Sequence, residues 1–115
     1  MIVCDPCRYS HYCFYHQSVL AGKEVCFVEA ALLLEAGWSD RLHEIWCCII
    51  PEAEAVSRLK IRNNMTDEEA LKRIGSQATN QYRVDNSNVV LCTLWDYPVT
   101  RKQVEKAWSL LQQRL

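Results

Sequence analysis

Glycine is scarce in this sequence, and its scarcity excludes a phosphate-binding loop. Only three glycines occur in 115 residues, at positions 22, 37 and 75. Such a loop needs a strand followed by Gly-x-x-x-x-Gly-Lys and then Ser or Thr, so that backbone N–H groups surround the phosphates. The one Gly-Lys pair, Gly22-Lys23, is followed by Glu24 and an apolar segment, and no glycine stands at the required position before it. The 115 residues therefore contain no recognisable phosphate-binding loop.

The chain also lacks a charge excess and a long apolar run. Thirteen Lys and Arg stand against fourteen Asp and Glu, whereas a nucleic-acid surface usually shows a basic excess. The apolar runs at residues 25–28 and 45–50 are far shorter than the roughly 18 residues that span a bilayer. The first five residues lack the basic and apolar regions of a secretory signal. We expect no nucleic-acid partner, no membrane span and an intracellular location.

Cysteine, in contrast, is plentiful, with seven in the chain. Cys26, Cys47, Cys48 and Cys92 lie inside apolar runs, where cysteine behaves as a small buried hydrophobe. Their placement inside apolar runs favours a reducing compartment over a secreted disulfide framework.

Residues 1–17 differ from the rest of the chain and carry the other cysteines. They include Cys4, Cys7, His11, Cys13 and His16. The Cys-Asp-Pro-Cys turn suits zinc, so a zinc-dependent interaction module is one hypothesis. Only three residues separate Cys7 from His11, however, whereas about twelve usually separate the ligand pairs of a zinc finger. We therefore prefer an unmatched Cys/His-rich leader and assign no metal ligands.

From residue 18 onward, short apolar segments alternate with helical ones. The segments at 25–28, 45–50 and 89–94 are continuously apolar and rich in β-forming residues, as in strands buried on both faces of a parallel sheet. Strands that alternate with helices imply βαβ units. The predicted fold class is α/β, with a parallel sheet flanked by helices.

Two helices are predicted between the second and third strands, over residues 51–78. Pro51 suits the first helical position, which needs no backbone N–H, and Asn63-Asn64 is a plausible stop. Thr66 and Glu69 then have the spacing of a capping box. This passage is long for a simple crossover, so we interpret it as a helical lid over an active site.

A final helix is predicted to begin after Thr100, because Thr100 and Gln103 repeat the cap spacing. The polar residues 79–88 are predicted to be an exposed loop. The apolar stripe predicted for the final helix consists of Val104, Ala107, Trp108, Leu111 and Leu115.

The segment Glu-Ala-Ala-Leu-Leu-Leu-Glu-Ala-Gly-Trp at residues 29–38 resembles the signature of the dephospho-CoA kinase family. That signature has an acidic residue, two small or Pro positions, an aliphatic run and then Glu-Ala-Gly. Residues 50–52 resemble the strand end and helix start that follow, residues 62–70 the lid, and residues 88–94 the last core strand. Residues 104–108 look like the closing helix of the kinase domain in animal bifunctional coenzyme A synthases.

The resemblance implies that residues 18–115 are the C-terminal part of a P-loop nucleoside-kinase-like domain. It implies ATP-dependent phosphorylation of the ribose 3′-hydroxyl of dephospho-CoA, with Mg²⁺, in the last step of coenzyme A biosynthesis. The location implied is the cytoplasm or the mitochondrion. The missing loop implies a chain truncated before the strand that follows the substrate helix, and inactive by itself. We also expect self-association through an open sheet edge.

By resemblance, Glu29 is the catalytic carboxylate, Leu34 and Glu35 bind substrate, and Arg62 and Gln77 serve ATP from the lid. Glu29 stands where the family usually has Asp, and Leu34 where it usually has Phe. Three of these residues also have a purely structural alternative. Glu29 is then a strand-end charge, Glu35 part of a solvated turn, and Arg62 a cation that offsets a helix dipole.

A second function remains open beside the enzyme. A protein of the same fold without catalytic activity would bind a partner or regulate the full-length enzyme.

Overall fold

The computed structural model describes residue 22 and residues 24–115. Residues 1–17, with the candidate zinc ligands Cys4, Cys7, His11, Cys13 and His16, lie outside the described residues, and so does Lys23. The described elements are a 3-10 turn at Ser39–Arg41, strands β1 (Trp46–Ile49) and β2 (Val89–Cys92), and helices α1 (Glu52–Asn63), α2 (Asp67–Gly75), α3 (Asn80–Asp85) and α4 (Tyr97–Gln112).

Strands β1 and β2 pair in parallel, with Trp46 opposite Val89 and Ile49 opposite Cys92. The Asn88 side chain fixes the start of the pair, because its Oδ1 accepts a hydrogen bond from the Ile45 N–H at 2.8 Å. At the other end, the Thr93 N–H donates to the Ile49 carbonyl at 3.1 Å. The predicted α/β class with parallel pairing and flanking helices is confirmed.

The strand predicted at residues 25–28 was wrong, since these residues have no regular secondary structure. The apolar side chains pack nonetheless. The Phe27 ring lies 5.8 Å, centroid to centroid, from both Trp46 and Trp108, although half of Phe27 remains exposed. An apolar composition indicates that side chains pack against others. It does not distinguish a paired strand from an irregular segment whose aromatic rings contact the core.

The core lies between the parallel pair and α4. Its buried cluster consists of Trp46, Leu91, Ala107 and Leu111, with Val25, Val89 and Trp108 packed against it. The predicted stripe on the last helix is therefore confirmed at its centre. Val104 and Leu115 at its ends are exposed instead.

Helices α1 and α2 confirm the two helices predicted between the strands. Asn64 ends α1 in the left-handed conformation, with φ 52°, which asparagine tolerates better than most residues. The capping box forms as predicted. The Glu69 N–H donates to Thr66 Oγ1 at 3.3 Å, and the Thr66 N–H donates to Glu69 Oε2 at 2.9 Å.

Two boundary predictions were wrong. Residues 79–88 are not simply a loop, because Thr79 caps α3 by accepting a hydrogen bond from the Tyr82 N–H at 3.2 Å. The last helix begins at Tyr97, three residues before Thr100, because Pro98 at its first turn suits a helix start. Gln103 is then free to serve another purpose, which is a pair of hydrogen bonds to Cys92.

Candidate functional site

A cavity of about 210 Å³ lies beside β1, where the turn at residues 31–37 approaches the strand. The cavity contacts residues 45–48, so it lies along β1 and toward the amino end of the strand. The walls come from Ala30, Ala31, Leu33, Leu34, Glu35, Ile45, Trp46, Cys47, Cys48 and Arg83. The cavity thus includes Leu34 and Glu35, which the sequence predicted to bind substrate.

A larger hollow of about 660 Å³ lies along β2 and α4. Its lining includes Val90, Gln103 and Leu110, and none of the residues predicted for the site. The smaller cavity is therefore the better candidate, because it combines a carboxylate and a guanidinium with the signature segment.

Glu35 joins the turn to the end of the lid passage. Its Oε1 accepts a hydrogen bond from the Ala78 N–H at 2.9 Å, across 43 residues of sequence. The Ala78 N–H, the Glu35 N–H and the charge of Arg83 together hold the pKa of Glu35 below its ordinary value, since each favours the ionised carboxylate. Glu35 is exposed, but its carboxylate is held by a specific contact.

Gln77 and Arg83 make the second link around the cavity. Arg83 Nη2 donates to Gln77 Oε1 at 3.1 Å. Arg83 belongs to α3, which the Cys47 thiol ties to β1 by donating to the Arg83 carbonyl at 3.7 Å. Gln77, predicted as a lid residue, therefore lies one contact away from the cavity that Leu34 and Glu35 line.

Glu29 is exposed in the irregular segment before the turn. The charge of Glu29 contributes to the pKa shift of Cys48, which lines the cavity. The pKa of the Cys48 thiol is raised, chiefly by loss of hydration and then by the Cys47 thiol beside it, with Glu29 adding to the shift. Cys48 remains partly accessible to solvent, and its raised pKa keeps it a thiol at neutral pH.

Arg62 is not brought to the cavity. It is exposed in the last turn of α1, and its Nε donates to the neighbouring Asn63 Oδ1 at 2.9 Å. Arg58, one turn earlier, has a structural role. Its Nε pairs with Glu54 at 2.8 Å, and its Nη2 donates to the Thr93 and Leu94 carbonyls at 2.9 and 3.3 Å, which ties α1 to the end of β2.

Arg83 is the cavity residue that the sequence interpretation missed. It lies in the segment predicted to be an exposed loop, and the family resemblance assigns it no role. The signal was Thr79, whose hydroxyl is a good helix cap. A helix beginning at Asn80 places Arg83 one turn in.

Two general features of the described residues bear on the site. No group of three or more His, Cys, Asp and Glu side chains comes together there as a metal site. Nor does the part of the chain that the structure describes contain a helix long and apolar enough to cross a membrane.

Comparison with known proteins adds a family match. The model of the family described as dephospho-CoA kinase matches residues 10–93. A dephospho-CoA kinase of Moorella thermoacetica is 31% identical over 91 residues, which cover 79% of this chain and 43% of the relative. A dephospho-CoA kinase of Dehalococcoides mccartyi is 34% identical over 70 residues, which cover 61% of this chain and 35% of the relative. One of a Synechocystis species is 34% identical over 89 residues, which cover 77% of this chain and 44% of the relative. The chain therefore spans less than half the length of these curated relatives.

Proposed function

Because the chain belongs to the dephospho-CoA kinase family, we propose that it forms part of a domain that phosphorylates dephospho-CoA. The reaction transfers a phosphoryl group from ATP to the ribose 3′-hydroxyl and gives coenzyme A. One observation supports the proposal most strongly. The hydrogen bond from the Ala78 N–H to Glu35 joins the signature segment at residues 29–38 to the end of the lid passage, as a substrate site covered by a lid requires.

The proposed roles follow from position. Leu34 provides an apolar wall of the cavity, and Glu35 accepts a hydroxyl proton or holds the lid end. Gln77 contacts nucleotide from the lid, next to Arg83. Arg62, exposed at the end of α1, meets ATP phosphates only after the lid closes, as mobile cations of kinases do.

Mg²⁺ in such a reaction neutralises charge on the transferring phosphates. It binds to proteins through one or two carboxylates and takes its other ligands from phosphates and water. The exposed carboxylate of Glu29 fits that sparse requirement, whereas the Glu35 carboxylate already accepts the Ala78 N–H. We therefore assign Glu29 as the residue that would hold the ion or one of its waters.

The 115-residue chain is proposed to be inactive by itself. Phosphoryl transfer depends on positioning and on neutralising charge, and the sequence contains no loop that surrounds the phosphates. A coupled assay for ADP release with ATP, Mg²⁺ and dephospho-CoA should give no turnover above background. The dephospho-CoA kinase of Moorella thermoacetica is the positive control, and turnover that requires dephospho-CoA would contradict the proposal.

Binding tests the substrate assignment without requiring turnover. Dephospho-CoA added to the labelled chain should shift the backbone amide resonances of Leu34, Glu35 and Ala78, because these residues line or join the cavity. Shifts that are absent here, or confined to the hollow beside α4, would rule out the assignment.

A role in partner binding or regulation is the second candidate. Trp95, between β2 and α4, is 59% exposed, and Tyr97, the first residue of α4, is 77% exposed. Exposed aromatic residues are common at the centres of protein interfaces. Trp95→Ala and Tyr97→Ala should then abolish association with a full-length dephospho-CoA kinase in a pull-down and leave the fold intact.

A further inference from the structure

Arg83 is partly buried, whereas the other lysine and arginine side chains that the structure describes are exposed. Arg58, Lys60, Arg101 and Arg114 each form an ion pair with a carboxylate. Arg83 forms none within the described residues, and its one side-chain hydrogen bond goes to the neutral amide oxygen of Gln77. A partly buried guanidinium with no carboxylate at ion-pair distance can be completed by a bound anion.

The position of Arg83 is fixed by contacts that do not use its charge. The Thr79 hydroxyl caps the start of α3, and the Cys47 thiol donates to the Arg83 carbonyl. The guanidinium has five N–H donors, and the described residues engage those of Nη2 alone. The other N–H donors of Arg83 make no hydrogen bond with the described residues, and Arg83 lines the cavity.

The Glu35 carboxylate lines the same cavity and interacts electrostatically with Arg83, but the two groups form no ion pair. Glu35 is engaged by the Ala78 N–H at 2.9 Å and is not within ion-pair distance of Arg83. The cavity therefore has a cation with free donors and an acceptor, between apolar walls from Leu34 and Trp46. A phosphate ester that also carries a free hydroxyl matches both groups, since Arg suits bidentate phosphate contact and a carboxylate accepts a hydroxyl proton.

We propose that Arg83 is the anion-binding residue of this cavity and takes a phosphate group of a nucleotide ligand. The inference rests on the proposed function for the identity of that ligand, dephospho-CoA. The anion-binding role of Arg83 does not depend on the proposed function, because any phosphate group of suitable size would meet the same N–H donors.

The test uses the full chain with two probes, dephospho-CoA and inorganic pyrophosphate, titrated by calorimetry. Arg83→Gln should weaken binding of dephospho-CoA roughly tenfold or more, as loss of a charge-assisted contact does. Arg83→Lys keeps the charge without the planar fork, so it should give an intermediate affinity. Arg73→Gln, an exposed arginine in the last turn of α2, is the matched control and should bind like the wild type.

A second variant protects the test from loss of folding. Gln77→Glu changes an exposed position and places a carboxylate where Arg83 Nη2 now donates to an amide. The new ion pair should compete with the ligand and weaken binding more than Gln77→Ala does, since that change removes only the contact of Gln77 itself, while the thermal midpoint of Gln77→Glu stays equal to or above that of the wild type.

The outcomes separate this inference from the proposed function. Equal affinity for dephospho-CoA in the wild type, Arg83→Gln and Gln77→Glu would overturn the role of Arg83 and leave the substrate assignment intact. Binding of pyrophosphate that requires Arg83, without binding of dephospho-CoA, would support Arg83 and count against the substrate. Binding of neither probe at millimolar concentration would refute the inference.

Discussion

Gln103 should stabilise the outer edge of β2, because its side-chain amide takes the place of a neighbouring strand. Its Oε1 accepts from the Cys92 N–H at 2.9 Å, and its Nε2 donates to the Cys92 carbonyl at 2.8 Å. The next residue, Thr93, directs its N–H to β1. Since backbone groups alternate sides along a strand, those of Cys92 point away from β1, to an edge where no described strand pairs.

Gln103→Met tests this role, because Met has a similar length and neither a donor nor an acceptor for Cys92. Each hydrogen bond contributes about 1 kcal/mol net, and a partly buried backbone group left unpaired adds to the loss. Two bonds to a partly buried strand should therefore give about 2–3 kcal/mol of destabilisation. Gln103→Glu should cost less, because a carboxylate still accepts from the Cys92 N–H although it cannot donate to the carbonyl.

Urea unfolding followed by circular dichroism measures the change, provided that the dependence of the unfolding free energy on urea stays the same. Gln112→Met, at an exposed position of the same helix, is the control and should fall within about 0.5 kcal/mol of the wild type. If Gln103→Met is as stable as this control, the two contacts do not stabilise the edge and the reasoning fails.

Three further predictions concern the edge, the lid and the turn. We expect the wild-type chain to self-associate at high concentration, because unpaired strand edges pair with other copies, and we expect Gln103→Met to associate more strongly. Monomers of both variants in sedimentation velocity would contradict this prediction. Thr66→Ala removes the acceptor for the Glu69 N–H and should lower the unfolding free energy by about 1 kcal/mol, whereas Thr100→Ala, inside α4, should change it little. The pKa of Glu35 is lowered in the folded chain, so its contribution to stability is present near neutral pH and is lost as the pH falls below about 4. The stability difference between wild type and Glu35→Gln should therefore shrink over that acidic range, and a difference that does not change with pH would exclude an effect of the charge.

Local signals in the sequence predicted much of this fold. The capping box at Thr66 and Glu69 involves neighbours in sequence, so spacing alone was sufficient. The central stripe of α4 was also predictable, because Ala107 and Leu111 repeat at helical spacing. Both features depend on interactions within one turn or one face of a single element.

The errors came where a contact between distant residues decides the structure. Residues 25–28 pack through Phe27 on Trp46 and Trp108, and no local pattern indicates that these rings meet without strand pairing. Helix α4 begins at Tyr97 with Pro98 in its first turn, yet Thr100 and Gln103 offered a good cap by spacing. Gln103 is directed to Cys92 instead, which only the fold reveals.

Contacts between distant residues also decide the candidate site, and for that reason the sequence did not indicate a role for Arg83. Glu35 and Gln77 were predicted through motifs, and the fold brings their neighbourhoods together by the Ala78 N–H and the Arg83 guanidinium. A backbone donor has no sequence signature, and Arg83 belongs to a helix of six residues whose apolar pattern is too short to recognise. The motif thus locates the segments of the site, while the charge balance of the cavity depends on a residue that no motif contains.

If this is correct, Arg83→Gln should alter ligand affinity more than Arg62→Gln in the chain as it stands, because Arg83 already lines the cavity and Arg62 does not. Equal losses in both variants would mean that closure of the lid, and not the preformed cavity, determines binding.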